Sequence, residues 1–190
     1  MKQIFKLGLF IATLNFLTDC NGQTKTESNQ NEIKTDKNKL IGGGCDGCEL
    51  MYVGMPKVIS SEHTSNGWDE GKQKLILTGK VFQLDGRTPA SDVVIYYWHT
   101  DDSGLYSSND QTPKQAKEHG KLRGWVKSDK SGNYTIKTSR PDAYPNDNIP
   151  QHIHLSIKEP DIINEYYADL YFDDDPLYLK HKKKYGKLDR

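Results

Sequence analysis

The 190-residue chain has no charge surplus of either sign, because 26 Lys and Arg stand against 26 Asp and Glu. It therefore lacks the basic excess of a nucleic-acid binder and the acidic excess of a solvating tail. Long apolar runs are scarce as well. Leu7–Leu17 is broken by Gly8, Thr13 and Asn15 and gives way to a polar stretch at Thr18, whereas a membrane-spanning helix needs about 20 apolar residues. Cysteine is rare. The three present, Cys20, Cys45 and Cys48, are too few for a disulfide scaffold, and a lone C-x-x-C cannot make a zinc ribbon. Helical periodicity is also sparse, which argues against a helical bundle.

The beginning of the chain has the form of an export signal over residues 1–19, with Lys2 and Lys6 ahead of the apolar run. Leu17-Thr18-Asp19-Cys20 has the outline of a bacterial lipoprotein signal, although Asp19 stands where a small residue is usual. The expectation is a periplasmic or cell-surface bacterial lipoprotein that touches the membrane only through a lipid on Cys20. Residues 20–39 are polar, with Ile33 the one large apolar side chain, and read as a flexible tether. Lipidation of Cys20 leaves Cys45 and Cys48 to pair with each other in an oxidising compartment. A folded domain is expected over residues 40–179, followed by a basic tail at 180–190.

Within that domain, short β-branched and aromatic runs alternate with turn residues, as in an all-β sandwich of antiparallel or mixed strands with long loops. Strands are predicted over 74–83, 93–99, 124–128, 133–139, 152–158 and 167–172, with a helical turn within 111–120. The turn signals Asp85-Gly86, Asp101-Asp102-Ser103-Gly104 and Asp129-Lys130-Ser131-Gly132 punctuate them.

His152-Ile153-His154 lies in one of these runs, and strand alternation sends both imidazoles to the same face. Alone, the pair reads more readily as surface histidines on a half-exposed strand than as a metal site. Glu159 downstream suggests a cupin metal motif, but position 146 is Asn and the later His181 lies in a lysine-rich segment, which argues against it. Asp173-Asp174-Asp175 lacks the ligand spacing of a calcium loop and reads as an acidic turn.

Taken in order, Gly79-Lys80-Val81, Asp85 to Ala90, Val94 to His99, Gly104-Leu105-Tyr106, Arg123-Gly124, Asp129 to Tyr134, Pro141 to Tyr144 and His152-Ile153-His154 resemble the catalytic domain of intradiol ring-cleavage dioxygenases. The resemblance runs from about Leu75 to about Phe172. It implies that Tyr106, Tyr144, His152 and His154 ligate a non-haem ferric ion. A hard, highly charged cation of that kind favours anionic oxygen donors and can stabilise tyrosinate. It further implies a small aromatic diol and O2 as substrates, displacement of Tyr144 by the bound diol, and ring opening between the two oxygenated carbons.

Two positions depart from the family pattern. Ile149 stands three residues before the first histidine, where the family carries an arginine that stabilises developing negative charge, so Arg123 and Arg140 become candidates to replace it. Asp169, ahead of Leu170-Tyr171-Phe172, stands where glutamine is usual; a carboxylate there could accept a hydrogen bond, repel anions or act as a base. The alternative that Ile149 motivates is an iron- or catecholate-binding sandwich that no longer cleaves rings. A metal-free carbohydrate- or protein-binding sandwich is a third reading, one that requires the tyrosines and histidines to lie apart. The sequence does not fix an oligomeric state.

Overall fold

The run His152–Lys158 alternates apolar with polar residues at strand spacing, and a computed structural model shows how that pattern is used. It describes residues 47–163 and 165–185; the signal segment, Cys20, the tether and Cys45 lie outside the described residues. Among the described residues seven strands form two sheets: β1 (Glu62–Thr64), β2 (Lys74–Lys80), β3 (Val94–Trp98), β4 (Arg123–Lys127), β5 (Asn133–Ser139), β6 (His152–Lys158) and β7 (Tyr166–Tyr171). One sheet has the order β1-β5-β2 and the other β4-β3-β6-β7. Every pairing is antiparallel except that of β1 with β5.

The β2 residues alternate between exposed and half-buried, as expected of a strand with one wet face. β3 differs, because Ile95, Tyr96, Tyr97 and Trp98 are all buried. Ile95 and Tyr97 pack with Val126, Ile136, Ile153 and Leu155 in the main core, while Tyr96 and Trp98 face the other way and pack with Cys48 and Met51. Burial on both faces explains why Val93 to His99 reads as an unbroken apolar run. The second cluster is roofed by the 3-10 helix Cys48–Tyr52, tied down where the Trp125 indole donates to the Met51 carbonyl at 2.7 Å. Cys48 is disulfide-bonded, and the expected pairing with Cys45 falls outside the described residues.

The predicted helical turn within 111–120 is present as a 3-10 segment at Lys114–His119. Residues 180–185 of the expected basic tail lie in helix α2 (Pro176–Tyr185), and a short α-helix, α1 (Gly67–Glu70), lies earlier in the chain. Asp175 caps α2 by accepting the Leu177 N–H at 2.9 Å, and proline suits the first helical position because its missing N–H is not needed there. None of the described helices is long and apolar enough to cross a membrane.

Candidate metal centre

The two loops that carry the tyrosines are built around Asp101. One carboxylate oxygen accepts the Ser103 and Leu105 N–H groups at 2.8 and 3.2 Å, and the other accepts the Ser107 hydroxyl. Its backbone carbonyl takes the Asp142 N–H at 3.0 Å, which joins the Tyr106 loop to the Tyr144 loop. Gly104 lets them meet. It has φ 73°, and a Cβ there would run into the Ala143 carbonyl, so only glycine suits both the backbone and the space.

Strand β6 supplies the histidines. His152, His154 and Ser156 alternate with Ile153, Leu155 and Ile157, whose side chains belong to the main core. The imidazoles therefore stand on the opposite face, where Tyr106 packs against the second cluster.

There the four side chains converge. The Tyr106 oxygen lies 2.7 Å from His154 Nε2 and 2.6 Å from the Tyr144 oxygen. Tyr144 is in turn 3.4 Å from His152 Nε2 and 3.3 Å from His154 Nε2, and the two Nε2 atoms are 3.2 Å apart. Donor atoms so spaced suit one ion at metal–ligand distances near 2 Å. The closeness of tyrosines and histidines removes the premise of a metal-free sandwich in which they lie apart.

Both imidazoles are oriented from behind. His152 Nδ1 donates to the Pro150 carbonyl at 2.6 Å, and His154 Nδ1 donates to Asp169 Oδ1 at 2.7 Å. A ring that carries its proton on Nδ1 presents the Nε2 lone pair, the state a metal ligand requires. The Tyr106 hydroxyl thus lies within hydrogen-bond reach of both His154 Nε2 and the Tyr144 hydroxyl. Burial, reinforced by Tyr144, pushes the Tyr106 phenol well above its ordinary range; burial also raises Tyr144, partly opposed by its bond to Tyr106. Burial, with the neighbouring His154, lowers His152 from its ordinary range.

Asp169 lies directly across from His154 in the β6–β7 register, and Trp98 lies across from His154 on the other side. Its Oδ1 also accepts the Tyr167 hydroxyl at 2.5 Å, and Oδ2 receives a long bond from Tyr171 at 3.3 Å. Burial opposes the Asp169 charge, but the bonds from His154 and Tyr167 outweigh it and hold the carboxyl below its usual range. His152, His154 and Asp169 could also be considered as a two-histidine, one-carboxylate metal set, since one ligand atom from each lies within 4.8 Å of the others. The hydrogen bonding disfavours that arrangement, because Asp169 binds the nitrogen of His154 that points away from the tyrosines.

The arginines expected near the substrate are engaged elsewhere. Arg140 forms a fork with Asp174 at 2.7 and 2.6 Å, donates through Nε to Gln151 Oε1 at 2.7 Å and stacks over Phe172. Arg123 donates to the Val53 carbonyl and lies over Tyr96 and Trp125. Among the described residues, no hydrogen bond joins either guanidinium to the four converging side chains. Ile149 is 38% exposed on the loop leading to His152.

Sequence reasoning missed Tyr167 and Trp98. The Trp98 ring stacks on His154 at 5.0 Å, and the Tyr167 hydroxyl lies 2.6 Å from His154 Nδ1. A signal for Tyr167 was present, because Tyr167, Asp169 and Tyr171 alternate along a predicted strand and so share a face.

Comparison with known proteins agrees with this geometry. A sequence model of a family described as Dioxygenase matches residues 57–183. A catechol 1,2-dioxygenase of Acinetobacter baylyi is 30% identical over 95 residues, which is 50% of this chain and 30% of that protein. A chlorocatechol 1,2-dioxygenase of Pseudomonas sp. strain P51 is 35% identical over 77 residues, 40% of this chain and 28% of that protein. The chain thus spans under a third of the length of these curated relatives. The fold is shared with the crystal structure of catechol 1,2-dioxygenase from Pseudomonas arvilla C-1, with TM-score 0.51 and 23% identity over 74% of this chain and 47% of that one.

Proposed function

This chain belongs to the intradiol ring-cleavage dioxygenase family, and on that footing we propose that it is an exported enzyme that uses ferric iron and O2 to open a catechol- or hydroxyquinol-like ring. The observation that carries the reading is the convergence of Tyr106, Tyr144, His152 and His154, with both imidazoles held by Nδ1 bonds so that Nε2 faces the phenols. The donor set of two phenols and two neutral imidazoles suits Fe(III).

When bound, ferric iron supplies Lewis acidity that draws electron density from the chelated diol and readies its ring carbon for O2. The protein's own part is positioning and proton handling. Tyr106 and Tyr144 would hold the ion as phenolates, each having given up its phenolic proton. Tyr144, whose contacts to the imidazoles are 3.3 and 3.4 Å, is the looser of the two phenols and the one that yields to the diol; its freed oxygen can take up a substrate hydroxyl proton. Tyr106 stays, held at 2.7 Å from His154. Leu105 and Ile149, exposed in the tyrosine loop and ahead of His152, offer apolar surface to an aromatic ring. Catechol and O2 together contain all the atoms of the cis,cis-muconate type diacid, so no organic cofactor is required.

Export and a lipid on Cys20 belong to the same reading, supported by Lys2, Lys6, Leu7–Leu17 and Leu17-Thr18-Asp19-Cys20. The second reading, an iron-bearing catecholate binder without ring cleavage, is favoured by Ile149 and by the engagement of Arg140 with Asp174 and Gln151. Protein loaded with ferric iron is expected to show a visible tyrosinate charge-transfer band and to consume O2 with catechol, chlorocatechol or hydroxyquinol. A band that shifts on adding these diols without O2 uptake would establish the second reading, and no band at all would remove both.

A further inference from the structure

The charges around the candidate metal centre nearly cancel before any substrate is present. Tyr106 and Tyr144 as phenolates and Asp169 as carboxylate supply three negative charges against the three positive charges of ferric iron. Asp169 is ionised for a geometric reason: His154 Nδ1–H, the Tyr167 hydroxyl and the Tyr171 hydroxyl all point at its two oxygens and need an acceptor there. No compensating cation is bonded to the four converging side chains among the described residues. Arg140 is neutralised by Asp174, Arg123 bonds the Val53 carbonyl, and Ile149 occupies the entry to β6.

Resting on the ferric reading above, we propose that Asp169 is a specificity-determining and positioning residue that restricts the site to diols carrying no further negative charge and biases its iron toward the ferric state. A chelating diol that passes one proton to Tyr144 and the other to solvent replaces one phenolate by two oxyanions, so the complex with Asp169 already carries one net negative charge. A ring carboxylate adds another at a site where Arg123 and Arg140 are engaged elsewhere, and like charges in a partly desolvated site repel appreciably. The same carboxylate, transmitted through the His154 ring to Nε2, makes that ligand more electron-donating, which stabilises Fe(III) over Fe(II).

The test uses iron-loaded protein without O2, so that binding is read from the visible band rather than from turnover. Wild type is expected to bind catechol about tenfold or more tightly than 3,4-dihydroxybenzoate. In Asp169→Asn that ratio should fall toward one, while the ratio of Fe(III) to Fe(II) affinity drops by about tenfold, a rise of about 59 mV in midpoint potential. Tyr167→Phe removes a hydrogen bond but keeps the charge, and should preserve the selectivity. Equal binding of the two diols by wild type would overturn the inference, as would an Asp169→Asn protein that is coloured and folded yet unchanged in both ratio and potential. Should Asp169→Asn fail to fold, the wild-type ratio and the Tyr167→Phe arm still decide: lost selectivity in Tyr167→Phe would assign the effect to packing rather than charge. A colourless wild type would remove the ferric reading and this inference together, whereas a coloured wild type without selectivity removes this inference alone.

Discussion

His152 Nδ1 donates to the carbonyl of Pro150, two residues earlier in the chain, at 2.6 Å. This short local bond turns the ring so that Nε2 faces Tyr144 and His154, and it comes from the backbone. No side-chain substitution at position 150 that keeps the loop conformation would remove it. His154 is held differently, by the Asp169 side chain across the sheet. One ligand is thus oriented by main chain and the other by a replaceable carboxylate.

The two tyrosines should differ in their hold on iron. Tyr106 sits 2.7 Å from His154 Nε2, whereas Tyr144 lies 3.3 Å or more from either imidazole nitrogen. Tyr106→Phe is expected to lower ferric affinity beyond the roughly 10–100-fold typical of losing a supporting partner, and Tyr144→Phe to lower it less. Competition with a chelator of known affinity measures both. The opposite order would reassign which phenol the diol displaces.

Gly104→Ala should disturb the metal centre without touching a ligand. The added methyl meets the Ala143 carbonyl, and the residue must hold φ 73°. Strain of this kind costs of order 1–3 kcal/mol, and relief by parting the loops moves Tyr106 and Tyr144 away from each other. Denaturant unfolding is expected to show the stability loss, and iron titration a weakened or heterogeneous site. A variant with wild-type stability and colour would mean that the loops accommodate the methyl elsewhere.

Acid should destabilise the fold before carboxylates titrate. Burial depresses the His99 imidazole from 6.5 to about 4, and burial with the nearby Arg123 charge brings His119 to about 4 as well. Between those values the unfolded chain binds protons that the folded chain refuses, so stability falls as pH drops from 6.5 toward 4. Above 6.5 neither group adds pH dependence. Each contributes a slope of up to about 1.4 kcal/mol per pH unit. Urea unfolding at a series of pH values checks this, and His99→Gln should remove part of the slope; an unchanged profile would locate the acid sensitivity in other groups.

Ile149→Arg tests whether the site wants a cation. Position 149 is partly exposed, so the change should alter stability by less than about 0.5 kcal/mol. If the ring-opening transition state gathers negative charge, a guanidinium there should raise the rate of O2 uptake about tenfold or more. A rate that stays level in an active protein would show that turnover proceeds without an added charge.

Much of this arrangement was legible in the sequence, though unevenly. β5 and β6 have the predicted limits because burial on alternating sides leaves a clear pattern in Asn133–Ser139 and His152–Lys158. β1 was invisible: Glu62–Thr64 is short and polar, and it becomes a strand only by pairing in parallel with β5. Helix α2 was hidden by its lysines, although Asp175-Pro176 carried a start signal. The engagement of Arg140 lay out of reach for a different reason. A guanidinium at the end of a long flexible side chain can serve several partners, and nothing local to Arg140 specified Asp174, 34 residues away.

Trp98 lies almost flat against two imidazoles, with ring centres 4.1 Å from His119 and 5.0 Å from His154. It is one of three tryptophans in the chain. An indole stacked on the back of a metal-binding ring is a built-in optical reporter, and ferric iron on His154 would quench its emission. Occupancy of the centre could then be followed by intrinsic fluorescence in dilute samples, at protein concentrations too low for colour to be seen and with no label attached.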